Sequence, residues 1–214
     1  MMNLDREKEV AAVAAAELVE DGMAVGLGTG STVAHLLPAL ARRGLKIRCA
    51  ASSPRTEVAA RELGLDVVEF GTIEHLDVTI DGADQVAPDG WLVKGGGAAH
   101  TREKIVAAAA SRFIVIVDSS KPVDALQAPI PLELLEFGLA ATLAHVAPTK
   151  LRDVPKSPDG GLIADYTGAV DDPAALATRL SATPGVVEHG LFPPDLVTTV
   201  LIGRGQEVER RGIR

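Results

Sequence analysis

Four charged side chains near the middle of the chain have types and spacing suited to acid–base chemistry on a small polar molecule. Asp81 and Asp84 lie three residues apart with a glycine between them. Lys94 precedes three consecutive glycines, and Glu103 follows shortly after. Two carboxylates so spaced can converge on one substrate, and a carboxylate of raised pKa can act as a general base. Three consecutive glycines increase the conformational entropy that is lost on folding. A loop without a function would not need them.

The elements around these residues predict where they lie. The apolar run 76–80 predicts a buried strand, so Asp81 stands at its carboxyl end, where open α/β sheets bind ligands. Residues 98–111 predict a helix with Glu103 on its inward face. That face also carries Ala99, Val106, Ala107 and Ala110. Burial there would raise the pKa of Glu103, whereas Lys94 and the helix N-terminus would lower it, and the balance stays open.

Each carboxylate taken alone also has a purely structural interpretation. Asp81 or Asp84 could cap a turn or a helix, and Glu103 could face the positive end of the helix dipole. Their coincidence with Lys94 and the three glycines disfavours an entirely structural explanation. We therefore interpret this segment as a catalytic site.

A second feature is the glycine loop, residues 26–32 (Gly-Leu-Gly-Thr-Gly-Ser-Thr), between a predicted strand at 23–27 and a predicted helix at 32–43. Glycines let the backbone approach an anion, and amides at a helix N-terminus attract one. The loop lacks the Lys of a Walker A motif, and Ser31 replaces the third glycine of the dinucleotide fingerprint. The next strand, 46–50, also lacks the expected acidic end. A phosphate monoester fits better than NAD or ATP, with a plain tight turn as the alternative.

The fold class follows from alternating helix and strand patterns. Helices are predicted at 5–20, 32–43, 54–64 and 98–111, and strands at 23–27, 46–50, 66–69, 76–80 and 113–117. This alternation predicts an α/β fold, with a Rossmann-like, mostly parallel sheet and helices on both faces.

The pattern changes after Lys121. A proline-rich boundary at 128–131 precedes predicted helices at 137–146 and 172–180 and predicted strands at 162–164 and 184–187. We expect residues 1–126 and 196–214 to form the Rossmann-like catalytic domain, with strand 196–202 returning to the main sheet. Residues 127–195 are expected to form a small α+β, ferredoxin-like domain that can carry oligomer contacts.

Composition narrows the function class. A net charge of −8, a pI of about 5.1 and 3% aromatic residues argue against nucleic-acid and anionic-membrane surfaces. Cys49 is the single cysteine, so neither a disulfide nor a cysteine metal cluster is expected. The histidines, at 35, 75, 100, 145 and 189, show no metal-ligand spacing. No apolar run approaches the ~18 residues of a membrane span, so we expect a cytoplasmic protein.

Several segments, in this order along almost the whole chain, closely resemble ribose-5-phosphate isomerase of the A type. The matching segments are 28–32, 81–84, 94–99, 101–106, 118–121, 184–187 and 190–192. The resemblance implies an enzyme, an aldose–ketose isomerase that interconverts D-ribose 5-phosphate and D-ribulose 5-phosphate in the non-oxidative pentose phosphate pathway. It also implies a homodimer that needs no cofactor and no metal.

The resemblance also implies a role for each matching residue. Glu103 would move a proton between C1 and C2 through an enediolate, while Asp81, Asp84 and Lys94 would open the ring and bind the sugar oxygens. The implied phosphate cradle is Thr29, Gly30, Ser31 and Thr32, helped by Lys8. The remaining implied substrate contacts are Gly82, Ala83, Gly95, Gly96, Gly97 and Lys121.

The chain departs from the family pattern in a few places. Gln85 stands where Glu is common, Ala87 where a polar residue is common, and His100 where Leu is usual. The segments 128–133 and 148–157 match poorly. Because Asp81, Asp84, Lys94 and Glu103 all match, these differences bear on the second domain and on dimer contacts more than on the chemistry.

Other functions remain as alternatives. A sugar-phosphate sensor with a DNA-binding helix-turn-helix would need space before the first strand, which already begins by residue 23. An amino-sugar-phosphate deaminase or a sugar-lactone hydrolase on a similar scaffold is the second alternative. A dehydrogenase is disfavoured by Ser31 and by the missing acidic residue.

Overall fold

A computed structural model describes residues 3–213. The chain divides into two compact units, which we describe separately. The first unit contains the residues up to 83, residues 102–121 and the residues from 194 onward. The second unit contains residues 84–101 and 122–193.

The helices and strands are named in chain order. The helices are α1 (Leu4–Ala16), α2 (Ser31–Arg43), α3 (Pro54–Glu62), α4 (His100–Ala108), α5 (Leu139–His145) and α6 (Pro173–Ser181). The strands are β1 (Ala24–Leu27), β2 (Arg48–Ala51), β3 (Asp66–Val67), β4 (Leu76–Asp81), β5 (Gln85–Val86), β6 (Leu92–Val93), β7 (Ala110–Asp118), β8 (Ile130–Leu134), β9 (Thr149–Leu151), β10 (Leu162–Tyr166), β11 (Val186–His189), β12 (Leu191–Phe192), β13 (Thr199–Arg204) and β14 (Glu207–Gly212). Short 3-10 turns occupy Phe70–Thr72 and Pro194–Leu196.

The first unit is built on a seven-stranded sheet of order β14-β13-β7-β4-β1-β2-β3. Its strands run parallel except β14, which is antiparallel to β13. Apolar side chains fill the central strands, as expected for a parallel sheet covered on both faces. The predicted α/β fold with a mostly parallel sheet is confirmed.

Alternate residues of the strands enter different clusters of the core. Val25 and Cys49 pack with residues of α1, α2 and α3, whereas their neighbours Ala24 and Ala50 pack with Val106 of α4. Successive side chains of a strand point to opposite faces of its sheet. Helices α1 to α3 therefore cover one face, and α4 covers the other.

The second unit contains two sheets. One has the order β11-β8-β10-β9 and is antiparallel throughout, and the other has the order β12-β6-β5. Along the chain, β8, α5, β9, β10, α6 and β11 follow one another in the βαββαβ order of ferredoxin-like folds. Ile130, Leu132 and Leu180 lie in its apolar core.

The observed division differs from the expected one at residues 84–101, which group with the second unit. Strand β6 in this segment pairs with β5 and β12, and strands of two residues have no periodicity that a sequence pattern could reveal. The helix predicted at 98–111 ends at Ala108, because β7 begins at Ala110. Strand β13 lies parallel to β7, so the chain returns to the main sheet. Within residues 3–213, no helix has both the length and the apolar character needed to cross a bilayer.

Candidate active site

Asp81 ends β4 at the carboxyl edge of the first unit's sheet. Its neighbour in the sheet is β1, and the glycine loop begins where β1 ends. The Asp81 side chain is 1% exposed. Its Oδ1 atom accepts hydrogen bonds from the backbone N–H of Thr29 (3.0 Å) and of Gly82 (2.7 Å). The carboxylate is thus fixed against the glycine loop by two backbone donors.

Two glycines of the loop are needed for packing. A Cβ at Gly28 would stand 1.9 Å from Cγ of Asp81, and a Cβ at Gly26 would stand 2.1 Å from Oγ1 of Thr79. The sequence predicts that these glycines let an anion approach the backbone. The structure adds that Gly28 makes room for the Asp81 carboxylate itself.

A cluster of hydroxyl groups, formed by Thr29, Ser52, Ser53 and Thr56, lies beneath the loop. Oγ1 of Thr29 lies 2.9 Å from Oγ of Ser52, 2.8 Å from Oγ of Ser53 and 3.2 Å from Oγ1 of Thr56. Thr56 donates to the carbonyl of Gly28 (2.9 Å). The hydroxyl of Thr29, a residue of the predicted phosphate cradle, bonds within this cluster. Ser53 is the N-cap of α3, and this N-cap pattern is the local sequence feature that indicates a member of the cluster.

The later part of the loop begins α2, a helix of 13 residues. Gly30 is the N-cap, with φ of +132°, a conformation that favours glycine. Ser31 is exposed and Thr32 is buried. The amides of Gly28 and Thr29 donate to Ile80 and Asp81, so an anion at this helix would meet the amides that follow them.

Glu103 lies on the buried face of α4 in the first unit. Its side chain is 5% exposed, and Val106 and Ala107 on the same face are also buried, as the helical spacing predicts. Thr79 of β4 donates a hydrogen bond to the carbonyl of Val106 (3.0 Å). The helix that carries Glu103 is therefore tied to the strand that ends at Asp81.

Glu7 of α1 holds the segment that leads to Lys121. Its carboxylate accepts hydrogen bonds from the backbone N–H of Ser119 and of Gly205, each 2.9 Å. Hydrogen bonds from the Ser119 side chain, and then from the two backbone amides, hold the pKa of Glu7 below 4.5. No sequence pattern singles out this buried carboxylate, whereas its half-buried neighbour Lys8 is among the predicted site residues.

The second unit contains Asp84 and Lys94. The N–H of Asp84 donates to the carbonyl of Val93 (2.8 Å), so Asp84, just before β5, lies beside the end of β6, where Lys94 follows. The Lys94 side chain is 2% exposed, and its ammonium lies 5.4 Å from the centre of the Phe192 ring. A cation over an aromatic face is stabilised by the ring quadrupole. Phe192 is a neighbour of Lys94 that sequence analysis did not identify.

The loop after Lys94 is held from two sides within the second unit. The N–H of Gly96 donates to Oδ2 of Asp84 (2.7 Å). Nη1 of Arg152 donates to the carbonyls of Gly95 (3.0 Å) and Gly96 (3.1 Å), and the same guanidinium pairs with Asp165. Arg152 was missed because it lies more than fifty residues away in a segment without a recognisable motif.

The predicted site residues are thus distributed over both units. The first unit contains Lys8, Thr29, Gly30, Ser31, Thr32, Asp81, Gly82, Ala83, Glu103 and Lys121. The second contains Asp84, Lys94, Gly95, Gly96 and Gly97. In the described range 3–213, no group of three or more His, Cys, Asp and Glu side chains is arranged to hold a metal ion.

Comparison with known proteins identifies the family. The family model described as ribose 5-phosphate isomerase A (phosphoriboisomerase A) matches residues 48–207. Ribose-5-phosphate isomerase A of Caulobacter vibrioides is 45% identical over 225 residues, which cover 98% of this chain and 99% of the relative. The chain belongs to the ribose-5-phosphate isomerase A family.

Solved structures agree with this assignment. Ribose 5-phosphate isomerase A from Neisseria gonorrhoeae has a TM-score of 0.94 and 32% identity, covering 100% of this chain and 99% of that one. The ribose 5-phosphate isomerase from Plasmodium falciparum has a TM-score of 0.91 and 30% identity, with coverage of 98% and 99%. The family match begins after the glycine loop, but the alignment to the Caulobacter isomerase includes almost the whole chain.

Three of the residues that depart from the family pattern have defined contacts or burial in the second unit. The Gln85 side chain donates to the carbonyl of Gln127 and accepts from its N–H, both at 2.8 Å. His100 is fully buried, and a Cβ at Gly95 would stand 2.7 Å from its Nδ1 atom. Ala87 is buried in the core of this unit. In this member of the ribose-5-phosphate isomerase A family, these residues therefore contribute to packing of the second unit.

Proposed function

We propose that this chain is an aldose–ketose isomerase that interconverts D-ribose 5-phosphate and D-ribulose 5-phosphate, in the non-oxidative branch of the pentose phosphate pathway. The observation that carries the proposal is the buried Glu103 carboxylate, on a helix that Thr79 ties to the strand of Asp81, in a chain of this family. The reaction requires neither a redox cofactor nor a metal, because only protons move.

Glu103 is the proposed base. It removes the proton from C2 of the open-chain aldose, which forms an enediolate across C1 and C2, and returns that proton to C1. Meanwhile the proton on O2 leaves and O1 gains one, so the ketose forms with its carbonyl at C2. One carboxylate can perform both transfers because the proton stays within its reach.

Lys94 is the proposed partner of the negative charge that develops on the enediolate oxygen. Its ammonium is already buried over an aromatic ring, and a charge in such surroundings interacts more strongly than in water. A fixed cation aimed at developing charge lowers the barrier without reorganising during the reaction.

Asp81 and Asp84 are the proposed acid and base for ring opening. The furanose opens when its ring oxygen gains a proton and the C1 hydroxyl loses one. Asp81 is held by the amides of Thr29 and Gly82, and Asp84 by the amide of Gly96. Carboxylates fixed in this way do not need to be ordered when the sugar arrives.

The phosphate of the sugar is proposed to bind at the start of α2, with Gly30, Ser31 and Thr32 as neighbours and Lys8 and Lys121 as further contacts. Thr29 is also proposed as part of the phosphate cradle, on a loop that its bonds within the hydroxyl cluster support. Backbone contacts from Gly82, Ala83, Gly95, Gly96 and Gly97 are proposed to complete the site. Binding energy from the distant phosphate orients C1 and C2 for reaction.

A structure of a related isomerase supports this chemistry. That D-ribose-5-phosphate isomerase, 34% identical with a TM-score of 0.92, was solved in complex with phospho-erythronic acid. The acid carries a phosphate at one end and a planar carboxylate at the other, and a carboxylate has the shape and charge of an enediolate. This compound is therefore a suitable probe of binding without turnover.

We further infer that the protein acts as a cytoplasmic homodimer, with oligomer contacts in residues 127–195. The support is a set of exposed apolar side chains in that range, of which Phe137 is 93% exposed and Leu135 is 52% exposed. Multi-angle light scattering of the wild type and of Phe137→Asp tests this inference. A monomeric wild type would contradict it.

The direct test is ribulose 5-phosphate formation by the purified protein from ribose 5-phosphate alone. We expect turnover without any added cofactor, and unchanged turnover after dialysis against EDTA. Activity that disappears with EDTA and returns with a divalent ion would contradict the metal-free mechanism. Turnover of glucosamine 6-phosphate in place of ribose 5-phosphate would instead favour the deaminase alternative.

A further inference from the structure

Arg152 is bound on two sides inside the second unit. Nε donates to Oδ2 of Asp165 (2.8 Å) and Nη2 donates to Oδ1 (2.6 Å), so the pair is bidentate. The side chains of Arg152 and Asp165 are 17% and 22% exposed. A bidentate carboxylate fixes the plane of a guanidinium, and this plane directs Nη1 toward the carbonyls of Gly95 and Gly96.

The carbonyl of Gly95 and the N–H of Gly96 belong to one peptide group. Nη1 of Arg152 donates to this carbonyl at 3.0 Å, and the N–H on the other side donates to Oδ2 of Asp84 at 2.7 Å. A cation, a peptide group and a carboxylate therefore lie in one hydrogen-bonded chain. Hydrogen bonds in such a chain polarise one another, so the guanidinium strengthens the bond that holds Asp84.

The glycines of this loop have no side chains that could fix its conformation. Gly95 has φ of +103°, and a Cβ there would stand 2.7 Å from the His100 ring. A Cβ at Gly96 would stand 2.8 Å from Oδ1 of Asp84. Position 95 therefore requires glycine, the residue that loses the most conformational freedom on folding, and a side chain at position 96 would displace Asp84. The carbonyl of Gly95 accepts the N–H of Ala98 within the loop (3.0 Å), and Arg152 adds a partner from outside the loop.

The Arg152 side chain is positively charged in the folded protein. Hydrogen bonding to Asp165 holds the pKa of the guanidinium above its ordinary value against the opposing effect of burial, and the charges of Asp165 and Asp84 act in the same direction. The donor to the Gly95 peptide group is thus a cation throughout the working pH range.

We propose that Arg152, oriented by Asp165, is a positioning residue for Asp84 and acts on it through the Gly95–Gly96 peptide group. The proposal rests on the proposed function, in which Asp84 takes part in opening the sugar ring. It assigns a role in turnover to two residues that do not themselves touch the substrate.

The test is a double-mutant cycle on the full-length enzyme, with Arg152→Met, Asp84→Asn and the double variant. Arg152→Met should lower kcat by roughly tenfold to hundredfold, the range caused by slight misplacement of a reacting group, and change KM by less than about threefold. In the Asp84→Asn background, the same substitution should change kcat by less than about twofold. Coupling of this kind is expected only when one residue acts through the other.

Two further variants complete the design. Arg179→Met is the matched control, because Arg179 is an exposed residue of the same unit whose guanidinium lies over the Tyr166 ring. It should leave kcat unchanged. Asp165→Asn keeps Arg152 in place but weakens its orientation, and it serves as the second cycle partner if Arg152→Met does not fold. It should lower kcat less than Arg152→Met does and show the same loss of effect in the Asp84→Asn background.

The kinetic results distinguish a failure of the positioning role from a failure of the proposed function. Equal effects of Arg152→Met on kcat in both backgrounds, with an active wild type, would overturn the positioning role alone. Equal effects of Asp165→Asn would do the same if that variant is used. A folded wild type that does not convert ribose 5-phosphate would overturn the proposed function instead.

Discussion

The carboxylate of Asp81 fills the space that a side chain at Gly28 would need. A Cβ built at position 28 would stand 1.9 Å from both Cγ and Oδ1 of Asp81, far inside van der Waals contact. The same carboxylate accepts the N–H of Thr29, the next residue. The end of β1 and the end of β4 are therefore packed around one buried carboxyl group.

This relationship predicts the effect of Gly28→Ala. The added methyl group must displace Asp81, and overpacking of this kind costs about 1–3 kcal/mol of stability. Because Asp81 would leave its backbone donors, kcat with ribose 5-phosphate should fall as well. Urea unfolding and steady-state kinetics measure the two effects.

Gly71→Ala is the matched control, since Gly71 lies in the same unit and a Cβ there would meet no atom within 4 Å. Its stability and kcat should stay close to those of the wild type. If Gly28→Ala behaved like Gly71→Ala, the close approach of Asp81 to the loop would be wrong.

The second prediction concerns Glu103→Gln. The amide has nearly the shape of the carboxylate but cannot accept the substrate proton, so kcat should fall by about 10²–10⁴-fold, the contribution of a positioned general base. Phospho-erythronic acid should still bind with nearly unchanged affinity by isothermal titration calorimetry. Retained turnover in Glu103→Gln would show that another group moves the proton.

The control for this substitution is Glu57→Gln. Glu57 lies on α3 and forms an exposed ion pair with Arg61, a type of interaction that contributes little to stability. We expect no change in kcat or in the affinity for the probe. A parallel loss in both variants would point to a general effect of removing negative charge.

Sequence patterns were sufficient for the parts of the site that depend on local periodicity. The apolar run before Asp81 predicted its place at the end of a strand, and helical spacing predicted the burial of Glu103. Both depend on the repeat of one element, which the sequence displays directly. The C-terminus of α4 was misplaced because an alanine-rich run before a strand does not mark the boundary.

Partners that are distant in sequence could not be predicted in this way. Arg152 reaches Gly95 across 57 residues, and Glu7 reaches Gly205 across 198. Such pairs depend on how whole elements pack, and no local spacing encodes them. The hydroxyl of Thr29 shows the same limit, because its partners belong to the segment after β2.

The third prediction follows from these hydroxyl partners. Thr29→Val keeps the shape of the side chain but removes the oxygen that bonds to Ser52 and Ser53. Unsatisfied buried polar groups cost about 1–3 kcal/mol, which urea unfolding should detect. The KM for ribose 5-phosphate should rise too, because the loop at the start of α2 loses its support. Thr29→Ser, which retains the hydroxyl, is the control, and an equal loss in both variants would exclude the hydroxyl as the cause.

The last prediction concerns pH and Glu7. Hydrogen bonds from Ser119 and Gly205 hold its pKa in the folded protein below the ordinary 4.5. A depressed folded-state pKa stabilises the protein fully above the unfolded-state pKa, and this stabilisation is lost as the pH falls through the folded-state pKa. Glu7→Gln should therefore be less stable than the wild type at pH 7, by about 1–3 kcal/mol, because its single amide oxygen cannot serve both backbone donors as the carboxylate does.

Urea unfolding of both proteins between pH 3 and pH 7 measures this dependence. The difference between them should stay constant down to about pH 4.5 and narrow below it, since protonation removes the charge that the variant already lacks. Because the two proteins differ only at position 7, the difference between their stabilities reports on Glu7. Glu9→Gln is the control, because Glu9 lies on the same helix in a half-exposed pair with Arg6. A difference between wild type and Glu7→Gln that widens as the pH falls would contradict the assignment, because it would require a folded-state pKa above 4.5.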